Sequence, residues 1–303
     1  MKFLYLLEHI RIPVLNEFML AITKLGDETA FLVIALILFW CVDKRRGYFT
    51  LSVGFVGTIL NQFMKLCFRI PRPWVLEKDF TILEQAREAA SGYSFPSGHT
   101  QNSVGTFGSV AYTAKNKILK IVCVIVAVLV PFSRMYVGVH TPLDVLVAAA
   151  MALVLIIALR PVFYSKDGKY IPVLMGIMTV LAIAYLCFVE LYPFPEDIDA
   201  HNLASGIKNA YTLLGALIGI LIVYFVDERY LHFRTDAVWW AQIIKAVGGL
   251  ALVLLVKSGL KTPLDMLLGA SIGRMTRYFL IVITAGIVWP ITFRWFGKLG
   301  NKE

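Results

Sequence analysis

Three short segments of this chain hold side chains that could handle a phosphate group. The first reads Lys65-Leu-Cys-Phe-Arg69-Ile-Pro71-Arg72-Pro73. It sets Lys65 and Arg69 on one helix face at i, i+4 and puts Arg72 between prolines, where a helix cannot continue. The second, Ser94-Phe95-Pro96-Ser97-Gly98-His99, runs directly into an apolar stretch. Ser97 suits a helix N-cap, helix-start amides favour an anion, and Gly98 removes side-chain bulk where a ligand would approach the backbone. The third runs from Ser133-Arg134 to His140-Thr141-Pro142-Leu143-Asp144. Thr141 is a fitting N-cap, Pro142 a fitting first helical residue, and Asp144 falls at N3. His140 then stands just outside a helix start, with a carboxylate one turn away that can hold one tautomer and free the other ring nitrogen for attack.

Each segment also has a plainer reading. They are a basic helix end with a proline stop, a capped helix with an incidental His99, and a capping box in which Asp144 only closes on Thr141. The chain carries its own control for the last. Thr262-Pro263-Leu264-Asp265 repeats the tetrapeptide with Lys261 where the histidine would be. The tetrapeptide alone is therefore a helix-start device, and Asp144 gains meaning from His140. Ser205-Gly206-Ile207 likewise resembles Ser97-Gly98-His99. The second half is readable as a decayed copy that has lost both histidines, and equally as helix starts that arose independently. Neither reading places catalysis there.

The elements that must position these residues are apolar helices. Of the 303 residues, 58% are hydrophobic and only 16% charged, against about 25% charged in soluble domains. A membrane span needs about 20 mostly apolar residues. Such segments lie near 28–42, 47–67, 98–114, 118–133, 143–162, 170–191, 207–226, 239–256 and 278–293. The fold expected is an all-α polytopic membrane bundle of about nine spans. The stretch 12–22 lies between Arg11 and Lys24 and is expected in the membrane interface. Residues 1–11 lack a signal-peptide pattern. Cys41, Cys67, Cys123 and Cys187 show no metal-like spacing and are expected to act as small hydrophobes.

Loop charge orients the spans. Lys44, Arg45 and Arg46, then Lys115, Lys117 and Lys120, then Lys166 and Lys169, and finally Arg294, Lys298 and Lys302 fall on one side. The positive-inside rule makes that side cytoplasmic. All three phosphate-type segments then share the opposite face, where they could meet. The basic stretch 257–277 on that same face runs against the scheme. The net charge of +9 is scattered, with no long basic tract interleaved with aromatics, so nothing points to nucleic acid as a partner.

Taken together, the segments resemble the signature of the type-2 phosphatidic acid phosphatase superfamily: Lys, six residues, Arg-Pro; Pro-Ser-Gly-His; Ser-Arg, five residues, His, three residues, Asp. Lys65, Arg72 and Pro73, then Pro96 to His99, then Ser133, Arg134, His140 and Asp144 fill it without a departure. The resemblance covers residues 28–162 and implies a lipid phosphate phosphatase core at 28–165. An interfacial N-terminal helix at 1–27 would precede it, and additional transmembrane helices at 166–303 would follow. It implies that His140 attacks phosphorus and forms a phosphohistidine, that Asp144 orients His140, and that His99 protonates the leaving oxygen and then activates water. Lys65, Arg72 and Arg134 would hold the phosphate, helped by Ser97 and the Gly98 amide. The role of Arg69 stays open.

Positioned cations and helix-start amides can do the charge neutralisation that phosphoryl transfer demands. No carboxylate cluster suggests a metal, so no cofactor is expected. The expected partners are a lipid phosphate or diphosphate and the bilayer. The vanadium haloperoxidases share this kind of pocket but are soluble. A lipid transporter or a catalytically silent membrane protein is the alternative from another class. The loop 74–93 could cover the pocket, and its mild acidic excess could discourage free anions.

Overall fold

The computed structural model of the chain describes residues 1–165 and 168–299. Lys166 and Lys302, two of the charges used above for orientation, lie outside the described residues. Among the described residues every regular element is helical. The principal helices are α1 (Lys2–His9), α2 (Pro13–Thr23), α3 (Glu28–Ile37), α4 (Lys44–Phe68), α5 (Pro73–Leu76), α6 (Gly98–Thr113), α7 (Lys117–Tyr136), α8 (Pro142–Tyr164), α9 (Ile171–Leu191), α10 (Ala200–Val226), α11 (Trp239–Gly259) and α12 (Lys261–Ile283).

Among the described residues, seven helices are long and apolar enough to cross a membrane. An eighth span results if the bent pair Pro13–Gly26 and Glu28–Val42 counts as one. Eight of the nine expected spans have a counterpart among these, and the one at 98–114 does not. There α6 has only 16 residues, and Thr100, Gln101, Ser103, Thr106 and Ser109 are buried. Its neighbours are other helices, so it need not be apolar all round. Helix α4 comes close because residue 57 is glycine: a Cβ there would sit 1.7 Å from the Gln101 amide nitrogen. Small residues at such contacts let membrane helices approach.

The chain forms two compact units. The first comprises Met1–Leu32, Thr50–Arg160 and Pro193–Gly206; the second comprises Val33–Phe49, Pro161–Tyr192 and Ile207 onward. In the first unit, α4 ends at Phe68 because Arg69 turns left-handed (φ 50°) and its amide closes on the Lys65 carbonyl at 3.0 Å. A left-handed residue at this position is a common helix stop, though usually glycine. That is the structural part Arg69 plays.

The N-terminal arm also belongs to the first unit. Helix α1 buries Leu4 against Phe80 and Ile82. Helix α2 buries Met19 in a cluster with Ala86, Ala90, Tyr136, Val137 and Val139. Arg11 donates to the Tyr136 carbonyl at 3.1 Å and to the Thr81 carbonyl at 2.9 Å. The arm thus holds the loop after α5 against the end of α7. A tight turn, Lys24–Gly26, bends the chain by 55° between α2 and the segment starting with α3. A Cβ on Gly26 would lie 2.7 Å from Val130 Cγ1 and 2.9 Å from the His99 carbonyl. Gly26→Val should therefore cost about 1–3 kcal/mol through overpacking and displace His99. A thermal melt would register the first, and hydrolysis of the phosphate esters that the resemblance implies as substrates would register the second.

In the second unit, Lys44 pairs with buried Asp227 at 2.6 Å, and Trp40 Nε1 donates to the Ala285 carbonyl at 2.8 Å. Two sequence expectations differ from the structure, one at the start of α10, whose first residues belong to the first unit, and one in α12. Ser205-Gly206 does not start a helix but lies inside α10. Asp199 starts that helix earlier by accepting the Asn202 amide at 2.8 Å. Thr262 is not a cap either, since α12 begins at Lys261 with Leu260 before it and no side-chain capping bond. This helix then breaks at Gly269 (φ 77°), and Asp265 reaches Arg277 at 3.6 Å.

Candidate active site

All the sequence-predicted site residues fall in the first unit, and the three signature segments converge there. Helix α7 delivers Arg134 on its last turn, and the chain reverses through Gly138 (φ 88°) into His140 and α8. At Gly138 a Cβ would sit 2.9 Å from Arg11 and 3.0 Å from Phe80, so the turn can run tight under the loop only without a side chain.

His140 is 1% exposed and sits between two opposite partners. Its Nδ1 faces Asp144 Oδ2 at 3.4 Å. Its Nε2 lies 2.8 Å from Arg72 Nη1. The same Nη1 stands 3.5 Å from Nδ1; a guanidinium can only donate, so it suits a ring with the lone pair on the nearer nitrogen, Nε2. Burial, together with the cations Arg72, Arg134 and Lys65, holds the His140 pKa well below its ordinary value. The imidazole is therefore neutral at neutral pH.

Asp144 stands where both readings of the sequence put it. Its Oδ2 accepts the Thr141 amide at 2.8 Å, and its own amide donates to Thr141 Oγ1 at 3.3 Å. That is a closed capping box at the start of α8. The same oxygen faces His140 and also accepts from Ser94 Oγ at 2.6 Å. Ser94 was quoted in the second segment without a role. The Asp144 carbonyl accepts the Ser97 amide at 3.1 Å, which ties the second segment to the third.

The start of α6 shows what Ser97 and Gly98 do. Ser97 Oγ accepts from Thr100 N at 3.4 Å and from Thr100 Oγ1 at 3.0 Å, as a cap. A Cβ on Gly98 would meet only Asn61 Oδ1, at 3.8 Å. Among the described residues that is an ordinary contact, so the space beside Gly98 is open. Asn61, one turn before Lys65 on α4, donates to the Pro96 carbonyl at 3.2 Å and braces this loop.

The three cations are buried. Lys65 donates to the Tyr93 carbonyl. Arg72 donates to the carbonyls of Ser91 (2.8 Å), Gly92 (3.1 Å) and Val139 (3.0 Å). Residues 91–93 of the covering loop thus lie on the cations themselves. Arg134 Nη1 donates to Thr23 Oγ1 at 2.7 Å, while its Nε and Nη2 are buried without a hydrogen-bond partner among the described residues. Buried guanidinium donors are costly to leave unpaired, and an anionic ligand would satisfy them.

Two side chains of the N-terminal arm, Thr23 and Asp27, reach the site without any signature to announce them. Asp27 Oδ1 lies 2.8 Å from His99 Nε2. This is an ion-pair distance, and among the described residues Nε2 has no hydrogen-bond partner. The sequence hides Asp27 because it precedes a helix, where an aspartate reads as an ordinary cap; its carbonyl does accept the Phe31 amide at 3.2 Å. Among the described residues, no group of three or more His, Cys, Asp or Glu side chains could hold a metal ion.

Residues 46–167 match the family described as PAP2 superfamily. Residues 211–302 match the one described as PAP2 superfamily phosphatase, transmembrane extension. The chain is 31% identical over 144 residues to undecaprenyl-diphosphatase BcrC of Bacillus subtilis (strain 168), covering 47% of this chain and 72% of that one. It is 33% identical over 159 residues to phosphatidylglycerophosphatase B of the same organism, covering 48% and 74%. It is 32% identical over 142 residues to an undecaprenyl-diphosphatase of Sulfolobus acidocaldarius, covering 46% and 67%. No solved structure matches the chain.

Proposed function

The chain belongs to the PAP2 superfamily, and from that premise we propose that it hydrolyses a lipid phosphate or isoprenoid diphosphate through a phosphohistidine on His140. The observation that carries the reading is the arrangement of His140 between the Asp144 carboxylate and the Arg72 guanidinium. It leaves the Nε2 lone pair of a neutral imidazole facing a phosphate-type cation.

The phosphate enters against Lys65, Arg72 and Arg134 and takes the place of the Arg72–Nε2 contact. Nε2 attacks phosphorus as the P–O bond to the leaving group breaks, and His99 gives that oxygen a proton. Asp144 holds the Nδ1 proton and stabilises the charge that develops on the ring. His99, now neutral, takes a proton from water, whose oxygen attacks phosphorus and breaks the P–N bond. Inorganic phosphate leaves and both histidines return to their starting states. Positioned charge does most of this work, and no step calls for a metal.

The relatives' names give undecaprenyl diphosphate and phosphatidylglycerophosphate as their substrates, which supports a lipid carrying one or two phosphates here. Loop charge supports an active site on the non-cytoplasmic face of the cell membrane. Residues 28–165 would be the phosphatase core and 166–303 an accessory set of helices.

The direct test is phosphate release from a panel of lipid phosphates and diphosphates by detergent-purified protein, with EDTA throughout and a metal-supplemented control. The expected rate is the same in both. Activity lost in EDTA and regained with metal would overturn the histidine mechanism. The pH profile gives a second expectation. Free His140 must be neutral to attack, and its pKa is held down by burial and its cationic neighbours. The acid limb of kcat/KM should therefore lie below about 6.5, the ordinary histidine value. For stability the sign is the same: below about pH 6.5 the unfolded chain takes a proton that the folded one refuses, so stability falls with pH there. An acid limb at or above 6.5 would show that the limb reports another group.

A further inference from the structure

We propose that Asp27 is a positioning residue for His99, so that the site holds two His–carboxylate pairs, one on each side of the phosphate. The inference rests on the reading of His99 as the general acid and base. Four observations carry it. Asp27 Oδ1 stands 2.8 Å from His99 Nε2, which leaves Nδ1 as the ring nitrogen for the substrate. The turn before Asp27 is pressed onto His99 itself, so closely that a Cβ on Gly26 would lie 3.0 Å from His99 Cβ. Thr23, on the other side of that turn, holds Arg134 at 2.7 Å. The bend of 55° between α2 and the segment that follows is what puts the turn at the site. Residues 1–45 lie outside the match to the superfamily at 46–167, so the second pair is supplied by a segment that the signature does not include.

The two pairs have different tasks. Asp144 fixes which nitrogen of His140 is free to attack. Asp27 would hold His99 in place and favour its protonated form, which is the form the first step consumes. Dependence on Asp27 should then scale with how badly the leaving oxygen needs a proton. An alkoxide needs one before it departs, whereas p-nitrophenolate does not.

Wild type, Asp27→Asn, Asp27→Glu, His99→Ala and the double variant Asp27→Asn/His99→Ala would be compared on a short-chain phosphatidic acid and on p-nitrophenyl phosphate. The p-nitrophenol burst counts folded sites, so each rate is expressed per competent active centre. Asp27→Asn should lower kcat for phosphatidic acid by about 10- to 100-fold, a part of the 10²–10⁴ that a positioned acid contributes. The p-nitrophenol burst rate should change by less than about threefold, and Asp27→Glu should recover much of the loss. In the His99→Ala background, Asp27→Asn should cost nothing further, because residues that act as a unit are non-additive. Equal losses on both substrates, or an undiminished Asp27 effect without His99, would overturn the proposal while leaving the phosphatase reading intact. Full phosphatidic acid turnover by His99→Ala would instead remove the acid assignment, and the role of Asp27 with it.

Discussion

His140→Ala should lower lipid phosphate hydrolysis by about 10⁴-fold or more, the scale of loss when a nucleophile that works as part of a unit is removed. A covalent route has no detour once its nucleophile is gone: the cations can still bind the phosphate, but water has no partner on that face of phosphorus. KM should change little, because Lys65, Arg72 and Arg134 keep their anchors in other parts of the site. Arg72 loses the Nε2 contact but keeps three carbonyl acceptors, so the pocket should not collapse. Rapid quenching with a phosphorus-labelled substrate offers a second reading of the same experiment. Wild type should yield an acid-labile, base-stable phosphoprotein and His140→Ala none. A labelled protein surviving in the variant would move the covalent bond to another residue.

Asp144→Asn should be nearly as damaging, with kcat falling by about 10³–10⁴-fold, the effect known when a histidine's orienting carboxylate is made an amide. The substitution is isosteric, so the reason is charge. Asp144 Oδ2 now accepts from Ser94, from the Thr141 amide and faces the Nδ1 proton of His140. All three contacts fall on one oxygen, so an asparagine carbonyl in its place can keep them. What is lost is the negative charge beside Nδ1. The ring that becomes cationic as Nε2 bonds to phosphorus then has no counter-charge. The capping box survives in part, so the fold should lose only about 1–2 kcal/mol. A large fall in kcat with a small fall in thermal midpoint is the expected pattern. If midpoint and activity collapse together, Asp144 is chiefly a helix cap.

Much of this site could be read from order and spacing. Three motifs supplied Lys65, Arg72, Ser97, Gly98, His99, Arg134, His140 and Asp144, and the structure gathers them because each sits at the end of a helix. The residues that escaped act across the chain rather than along it. Asp27 and Thr23 lie some 70 or more positions from His99 and Arg134, and each has an ordinary local role to hide behind. Ser94 could be quoted but not assigned, since its partner is 50 residues away. In the fold, apolar length located the seven helices and the bent pair that are long and apolar enough to cross a membrane. It counted α6 as one more, although that helix is short and its buried side chains are largely polar. In the second half the same reading assigned helix starts to Ser205 and Thr262. The earlier capping at Asp199 and the break at Gly269 depend on local hydrogen bonds and backbone angles that the repeated tetrapeptides do not encode.

The polar character of α6 has a consequence for how this protein is made. A nascent chain enters the bilayer segment by segment, and each segment is accepted according to its own affinity for lipid. Helix α6 carries Gln101, Ser103, Thr106 and Ser109 over 16 residues, which gives it little such affinity. Its neighbour α7 is strongly apolar and follows after a three-residue connection at 114–116. The two should therefore be threaded as a hairpin, with α7 carrying its partner in and the glycine contact on α4 receiving it afterwards. His99 rides on the first turn of that passenger helix. The catalytic centre would thus come into being late in biogenesis, when the bundle closes around α6.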